Sequence, residues 1–183
     1  RHTRYGTVTG VQTCALPISF DPFVGKQAPR TLALGDLLGS AVAMFGDWAA
    51  AGAPAAKSAG TNAGIVYLFN ASPSSPSGWT NVGVLEAQPI AGIDSFGAAI
   101  AMQGDVLVVG APQDKEGAFK TGSISIYERD RASALGWKFV QKLAPSDGFD
   151  GDAFGAAVAT DGESVAAGAP ANDGFARDAG AVY

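Results

Sequence analysis

The sequence predicts an all-β fold of four-stranded antiparallel blades, and three observations predict it. Glycine is frequent, 25 of 183 residues, as suits many short strands joined by turns that need positive φ. A set of anchor residues returns at a fixed step of 58. The segments between anchors read as strands, alternating or continuously apolar and bounded by turn residues. Alanine-rich helices are the competing reading, but glycine recurs every few residues and costs a helix about 1 kcal/mol each time.

The repeat is carried by named residues. An apolar-Gly pair stands at Leu38-Gly39, Phe96-Gly97 and Phe154-Gly155. A Gly-Ala-Pro triplet stands at Gly52-Ala53-Pro54, Gly110-Ala111-Pro112 and Gly168-Ala169-Pro170. Gly64, Gly122 and Gly180 keep the step, as do Gly78-Trp79 with Gly136-Trp137, and Leu85 with Leu143.

Each full repeat reads as four strands. In the second, strand one runs from Gly97 to Met102 and turns at Gln103-Gly104-Asp105. Strand two is Val106 to Gly110, an apolar run expected to be buried on both faces. Pro112 ends it, having no N–H for the ladder. Strand three is Ser123 to Glu128 and strand four Trp137 to Leu143. Alternation puts Trp137, Phe139 and Leu143 on one face of strand four, and Lys138, Val140 and Lys142 on the other. Four antiparallel strands per repeat of this length are a propeller blade.

That geometry gives the anchors their roles. Ala41, Ala43, Ala98, Ala99 and Ala101 keep strand one slim where blades crowd around an axis. Phe96 and Phe154 wedge between blades, each burial worth about 1.5–3 kcal/mol. Gly110 admits close backbone approach. Such repeated positions are scaffold, since repeats bury a shared core.

Residues 1–19, RHTRYGTVTGVQTCALPIS, resemble the in-frame translation of a sequencing adapter and are expected to be an assembly artefact. Setting them aside removes the sole Cys, Cys14, the sole His, His2, and two arginines. Ten basic residues then face 17 acidic ones, a net charge of −7. Disulfides and thiol catalysis drop out. No basic patch invites nucleic acid, and no apolar run approaches the roughly 20 residues of a membrane helix. Both ends of the remaining sequence read as cut.

The thrice-repeated Phe-Gly and Gly-Ala-Pro pairing resembles the FG-GAP repeat of integrin α chains, in a form more similar to bacterial surface proteins. The third strands (GIVY, GSISIY, GAVY) and the Gly-Trp fourth strands belong to the same likeness. The resemblance implies a β-propeller, usually of seven blades, on a secreted or cell-surface protein. On this reading residues 20–34 are the tail of a preceding blade. Repeats follow at 35–91, 92–150 and 151–183, the last truncated, and further blades of the propeller are the expected neighbours.

Integrin repeats often carry an Asp-rich calcium loop between strands one and two. The matching loops here, MFGDW, MQGDV and TDGES, are too short and too poor in carboxylates for the 6–8 oxygens Ca²⁺ takes. Asp47, Asp105 and Asp161 instead suit hairpin turns beside glycine. The densest acidic stretch is SDGFDGDAFG, where Asp147, Asp150 and Asp152 could wrap a hard cation. Asp36, Asp94 and Asp152 recur at one repeat position, which favours a structural turn, so no cofactor is expected.

The loops after Gly-Ala-Pro differ between repeats, and such loops carry recognition on rigid scaffolds. Lys115, Glu116, Phe119, Lys120, Asn172, Asp173, Phe175 and Arg177 are the candidate contacts. No phosphate loop, zinc motif or nucleophile elbow is present, and scattered carboxylates do not make an acid/base pair. The expected function is non-enzymatic adhesion or recognition of an extracellular protein or glycan. The alternatives are an ancillary propeller of a secreted hydrolase and a purely structural surface repeat.

Overall fold

The computed structural model describes residues 32–58, 63–75, 77–89, 92–115, 118–174 and 176–183. The adapter-like segment and most of the 20–34 tail lie outside the described residues. Among those described there is no helix, and the strands form three antiparallel sheets. The first blade is β1 (Val42–Phe45), β2 (Trp48–Ala53), β3 (Ile65–Ala71) and β4 (Trp79–Glu86), in that spatial order. The second is β5 (Ala99–Gln103), β6 (Val106–Ala111), β7 (Ser123–Arg129) and β8 (Trp137–Leu143). The third holds β9 (Ala157–Thr160), β10 (Val165–Ala169) and β11 (Ala181–Val182). The innermost strands adjoin, with β5 against β1 on one side and β9 on the other.

Strand β5 starts two residues later than the sequence predicts. Ser95 takes φ 56° and Gly97 φ 88°, and the Ala98 N–H donates to Ser95 O at 3.1 Å, closing a turn before the ladder begins. The corner recurs in each repeat, with Leu37 at φ 60° and Ala153 at φ 59°. Left-handed backbone costs a non-glycine residue about 1–2 kcal/mol. At the second and third corners, packing against the preceding blade offsets that cost.

The blades meet in two interlocked cores. Val66, Leu68 and Leu85 of the first blade pack against Leu107, Val109, Tyr127 and Trp137 of the second. The opposite face of the second blade, Val108 and Ile124, meets Phe154, Ala167 and Ala169 of the third. Strand β6 is therefore buried on both faces, as its unbroken apolar run requires. Phe96 is fully buried and meets Tyr127 edge-on at 6.5 Å between ring centroids. Its N–H reaches back to Ala63 O in the preceding repeat at 2.8 Å, and Phe154 reaches Thr121 O at 2.8 Å. Leu38 packs half-buried on the group around Tyr67 and Phe69.

Small residues set how closely blades approach. A Cβ on Gly52 would lie 1.9 Å from Gly97 O, and one on Gly110 would lie 2.0 Å from Gly155 O. Within each blade the same glycines hydrogen-bond: Gly97 N–H to Gly110 O at 3.0 Å and Gly155 N–H to Gly168 O at 2.9 Å. Ala53, Ala111 and Ala169 of the triplet are buried, and the proline after each stands just past its strand.

The reading of strand four needs correction. Phe139 pairs with Tyr127 and Gln141 with Ile126, so Val140 is an extra residue in a β-bulge. Val82 is bulged at the matching place, between Asn81, which pairs with Phe69, and Gly83, which pairs with Leu68. A bulge restarts the two-residue alternation. Lys142, opposite Ser125, thus shares a face with Trp137 and Phe139. Leu143, opposite Ile124, lies on the other face with Lys138.

Candidate functional site

Antiparallel pairing sends the connections to two ends of each sheet. The turns β1–β2 and β5–β6 and the loops β3–β4 and β7–β8 gather at one end. The loops after Gly-Ala-Pro and the links between blades gather at the other.

At the inter-blade end the recurring aspartates are structural staples. Asp36, Asp94 and Asp152 are buried. Their carbonyls accept from Ala55, Gln113 and Ala171, one residue past each triplet. Asp36 Oδ2 accepts from Ala33 N at 2.6 Å and Asp152 Oδ2 from Phe149 N at 2.9 Å. Asn172, read from the sequence as a loop contact, is buried and donates its Nδ2 to Asp152 Oδ2 at 2.8 Å.

Asp147, Asp150 and Asp152 turn to different partners. Asp147 Oδ1 accepts from the Tyr183 hydroxyl at 2.9 Å, Asp150 Oδ1 from Lys120 N at 2.8 Å, and Asp152 as described. Partial desolvation, then the Asp147 carboxylate, holds the Tyr183 hydroxyl above its usual range. Among the described residues no group of three or more His, Cys, Asp or Glu side chains is placed to hold a metal ion. Nor is any helix there long and apolar enough to cross a membrane.

The loop candidates divide. Lys115, Lys120, Asp173 and Arg177 are exposed, and Glu116 and Phe175 lie outside the described residues. Asp173 Oδ1 accepts from Asp178 N at 2.6 Å, while Arg177 Nε stands 3.7 Å from Asp178 Oδ2 at the surface. Phe119 is 53% exposed, and Phe149, which the sequence reading passed over, is 63% exposed. Their two loops are tied both ways. Lys120 N–H donates to Asp150, and Gly151 N–H donates back to Lys120 O at 2.9 Å. Two outward rings thus sit on a clamped support beside Lys120. Phe149 was hidden in a stretch conspicuous for its carboxylates.

Asp114, also missed, anchors the β6–β7 loop from within. It is buried, with Lys142 Nζ 2.6 Å from Oδ2, Lys115 N–H on Oδ1 at 2.8 Å, and the Ser123 hydroxyl on Oδ2. The bulge at Val140 is what turns Lys142 towards it.

The hairpin end carries an open cleft of about 470 Å³ between the first two blades, bordered by Asp47, Asn70, Asp105, Arg129 and Trp137. The Arg129 guanidinium sits 4.3 Å from the Trp48 ring centre and 5.2 Å from that of Trp137. The two indoles meet edge-on at 5.9 Å. Arg129 also donates to Gly136 O at 2.7 Å. This cation–aromatic stack bolts blade to blade across 81 residues of sequence from Trp48 to Arg129. Gly46 and Gly104, at φ 55° and 59°, make the turns there. Asp47 and Asp105 border the cleft, while Asp161 caps its own turn.

A family model described as FG-GAP repeat matches residues 32–69, 79–127 and 137–183. The chain belongs to the FG-GAP repeat family. The matches fall on the blades, and the all-β architecture with antiparallel sheets is that of FG-GAP propeller blades. A search of curated proteins returns no match. FG-GAP propellers are typically non-catalytic. In this FG-GAP chain the anchor residues named for the repeat are the ones that join blade to blade.

Proposed function

We propose that this FG-GAP segment is a non-enzymatic recognition module of a secreted or cell-surface protein, binding an extracellular protein or glycan through its inter-blade loop end. The observation that carries this reading is the pair of outward rings, Phe119 and Phe149, on two loops locked together by Lys120, Asp150 and Gly151. Aromatic anchors on a rigid, pre-organised support lose little entropy on binding. Lys115 and Lys120 add cationic contacts around them, and Asp147 adds an anionic one. The extracellular setting is an inference from the family.

The test is binding of the 183-residue chain to a glycan microarray and to a panel of purified extracellular-matrix proteins. A specific hit that weakens at least tenfold in Phe119→Ala/Phe149→Ala supports the reading. The substitutions remove exposed rings, so the melting temperature stays unchanged. A hit indifferent to both substitutions, or no hit at all, overturns it.

A further inference from the structure

The cleft at the hairpin end has two walls, and each belongs to a complete four-stranded blade. On the first blade Phe45 pairs with Trp48, and Trp48 with Asn70, so the three side chains form one row across β1, β2 and β3. Ala43, two residues before Phe45 on β1, packs into the core shared with the second blade, so this row faces that blade. On the second blade Arg129 pairs with Trp137. Between them lies the open space of about 470 Å³, rimmed by Asp47 and Asp105.

The residues of this row break the 58-residue period. The second blade has Gln103, Val106 and Glu128 where the first has Phe45, Trp48 and Asn70, and the first has Ala71 where the second has Arg129. Scaffold anchors recur, so this set answers a need that arises at one junction. The stack of Arg129 on Trp48 joins the blades, but three further features lie outside that task. Phe45 is 42% exposed, with its ring at the cleft. Asp161 spends its carboxylate on its own turn, whereas Asp47 and Asp105 serve their hairpins through main-chain carbonyls. Their exposed carboxylates remain at the rim. Arg129 commits Nη1 to Gly136 O and has further N–H groups to donate. Trp137, which lines the cleft, buries its indole N–H with no acceptor among the described residues, and an unpaired buried donor is costly.

These groups select an occupant. Two carboxylates oppose a simple anion, and the guanidinium opposes a simple cation. A neutral ligand dense in hydroxyls satisfies both, donating to Asp47 and Asp105 and accepting from Arg129. A saturated ring with an apolar C–H face covers Phe45 at the same time. We infer that the cleft is a binding site for a neutral pyranose sugar. It goes beyond the recognition reading, which concerns the loops at the opposite end of the blades.

Tryptophan fluorescence of the full chain tests it, because Trp48 and Trp137 both line the cleft. The ligands added are the methyl pyranosides of glucose, galactose, mannose and N-acetylglucosamine. At least one is expected to give a saturable change, with a Kd on the order of 1 mM. In Asp47→Ala/Asp105→Ala and in Phe45→Ala the Kd is expected to rise at least tenfold at an unchanged melting temperature. If either variant melts early, Asp47→Asn/Asp105→Asn replaces it, keeping the shape and removing both charges. In Phe119→Ala/Phe149→Ala the response is expected to stay intact. A response lost only in that variant assigns the sugar to the loops and overturns this inference while supporting the other. No saturable response to any of the four sugars overturns it too, as does a Kd unmoved by the loss of both carboxylates. A response to arginine amide and to none of the sugars overturns it by showing a cation site.

Discussion

A Cβ on Gly52 would stand 1.9 Å from the carbonyl oxygen of Gly97, so the first two blades touch backbone to backbone at this point. No side chain at position 52 can turn away, because the obstruction is main chain of the corner that leads into β5. Gly52→Ala is expected to force the blades apart and cost about 1–3 kcal/mol or more. Gly110→Ala repeats the effect against Gly155, while Gly168→Ala, whose Cβ would meet only Ala157 at 3.6 Å and beyond, stays within about 0.5 kcal/mol in this chain. Chemical denaturation of the three variants checks the ranking. Equal losses at all three would show that the contact does not govern packing.

The ion pair Asp114–Lys142 is buried in the second blade, whereas the first blade has Ala56 and Val84 at the matching places. Asp114→Ala removes an acceptor from the half-buried Lys142 ammonium, the Ser123 hydroxyl and the Lys115 N–H, and is expected to cost about 1–3 kcal/mol. The triple variant Asp114→Ala/Ser123→Ile/Lys142→Val installs the first blade's apolar set. It is expected to recover most of that loss or to exceed the wild type, since well-packed apolar groups often match a buried ion pair. Denaturant midpoints decide it, and a triple variant weaker than Asp114→Ala would refute the account.

Asp161 Oδ1 accepts from Ser164 N at 2.7 Å and Glu163 N at 2.9 Å, and these N–H groups hold its carboxyl below the ordinary 3.8. A depressed folded-state value means the contribution is present above 3.8 and disappears as pH falls through the lower, folded value. In a carboxyl-detected NMR titration Asp161 is expected to protonate below 3.8. Asp161→Asn keeps the acceptor oxygen and is expected to flatten the acid limb of the stability profile. A midpoint at or above 3.8 would contradict the assignment.

Calcium at millimolar concentration is expected to leave the melting temperature unchanged, because Asp147, Asp150 and Asp152 serve three separate hydrogen bonds. A ligand bound to the folded state alone raises it through mass action. A calcium-dependent rise abolished by Asp150→Asn would reverse this conclusion.

The 58-residue step carried most of the architecture, because each anchor has a local, repeated job: a corner, a close approach, a strand end. What the sequence concealed are events that break a period or bridge distant residues. The bulge at Val140 exchanged the faces of Lys142 and Leu143, and alternation alone has no way to announce an extra residue. Asn172 looked like a variable loop residue. Its partner Asp152 lies 20 residues away, beyond any local pattern. The stack of Arg129 on Trp48 joins two repeats at positions that do not match each other. Exposure of Phe149 was equally invisible, since an apolar residue among aspartates reads as either anchor or core.

The glycine-to-carbonyl contacts fix the pitch between successive blades with atoms that every residue possesses. Nothing in that spacing depends on what the loops at either end contain. A loop can therefore be lengthened, recharged or replaced while the angle it is presented at stays the same. Blades of this design are interchangeable carriers, and grafting the Phe119 loop onto the first blade together with Lys142 and the Phe149–Gly151 link that clamps it would move its display by one fixed rotation.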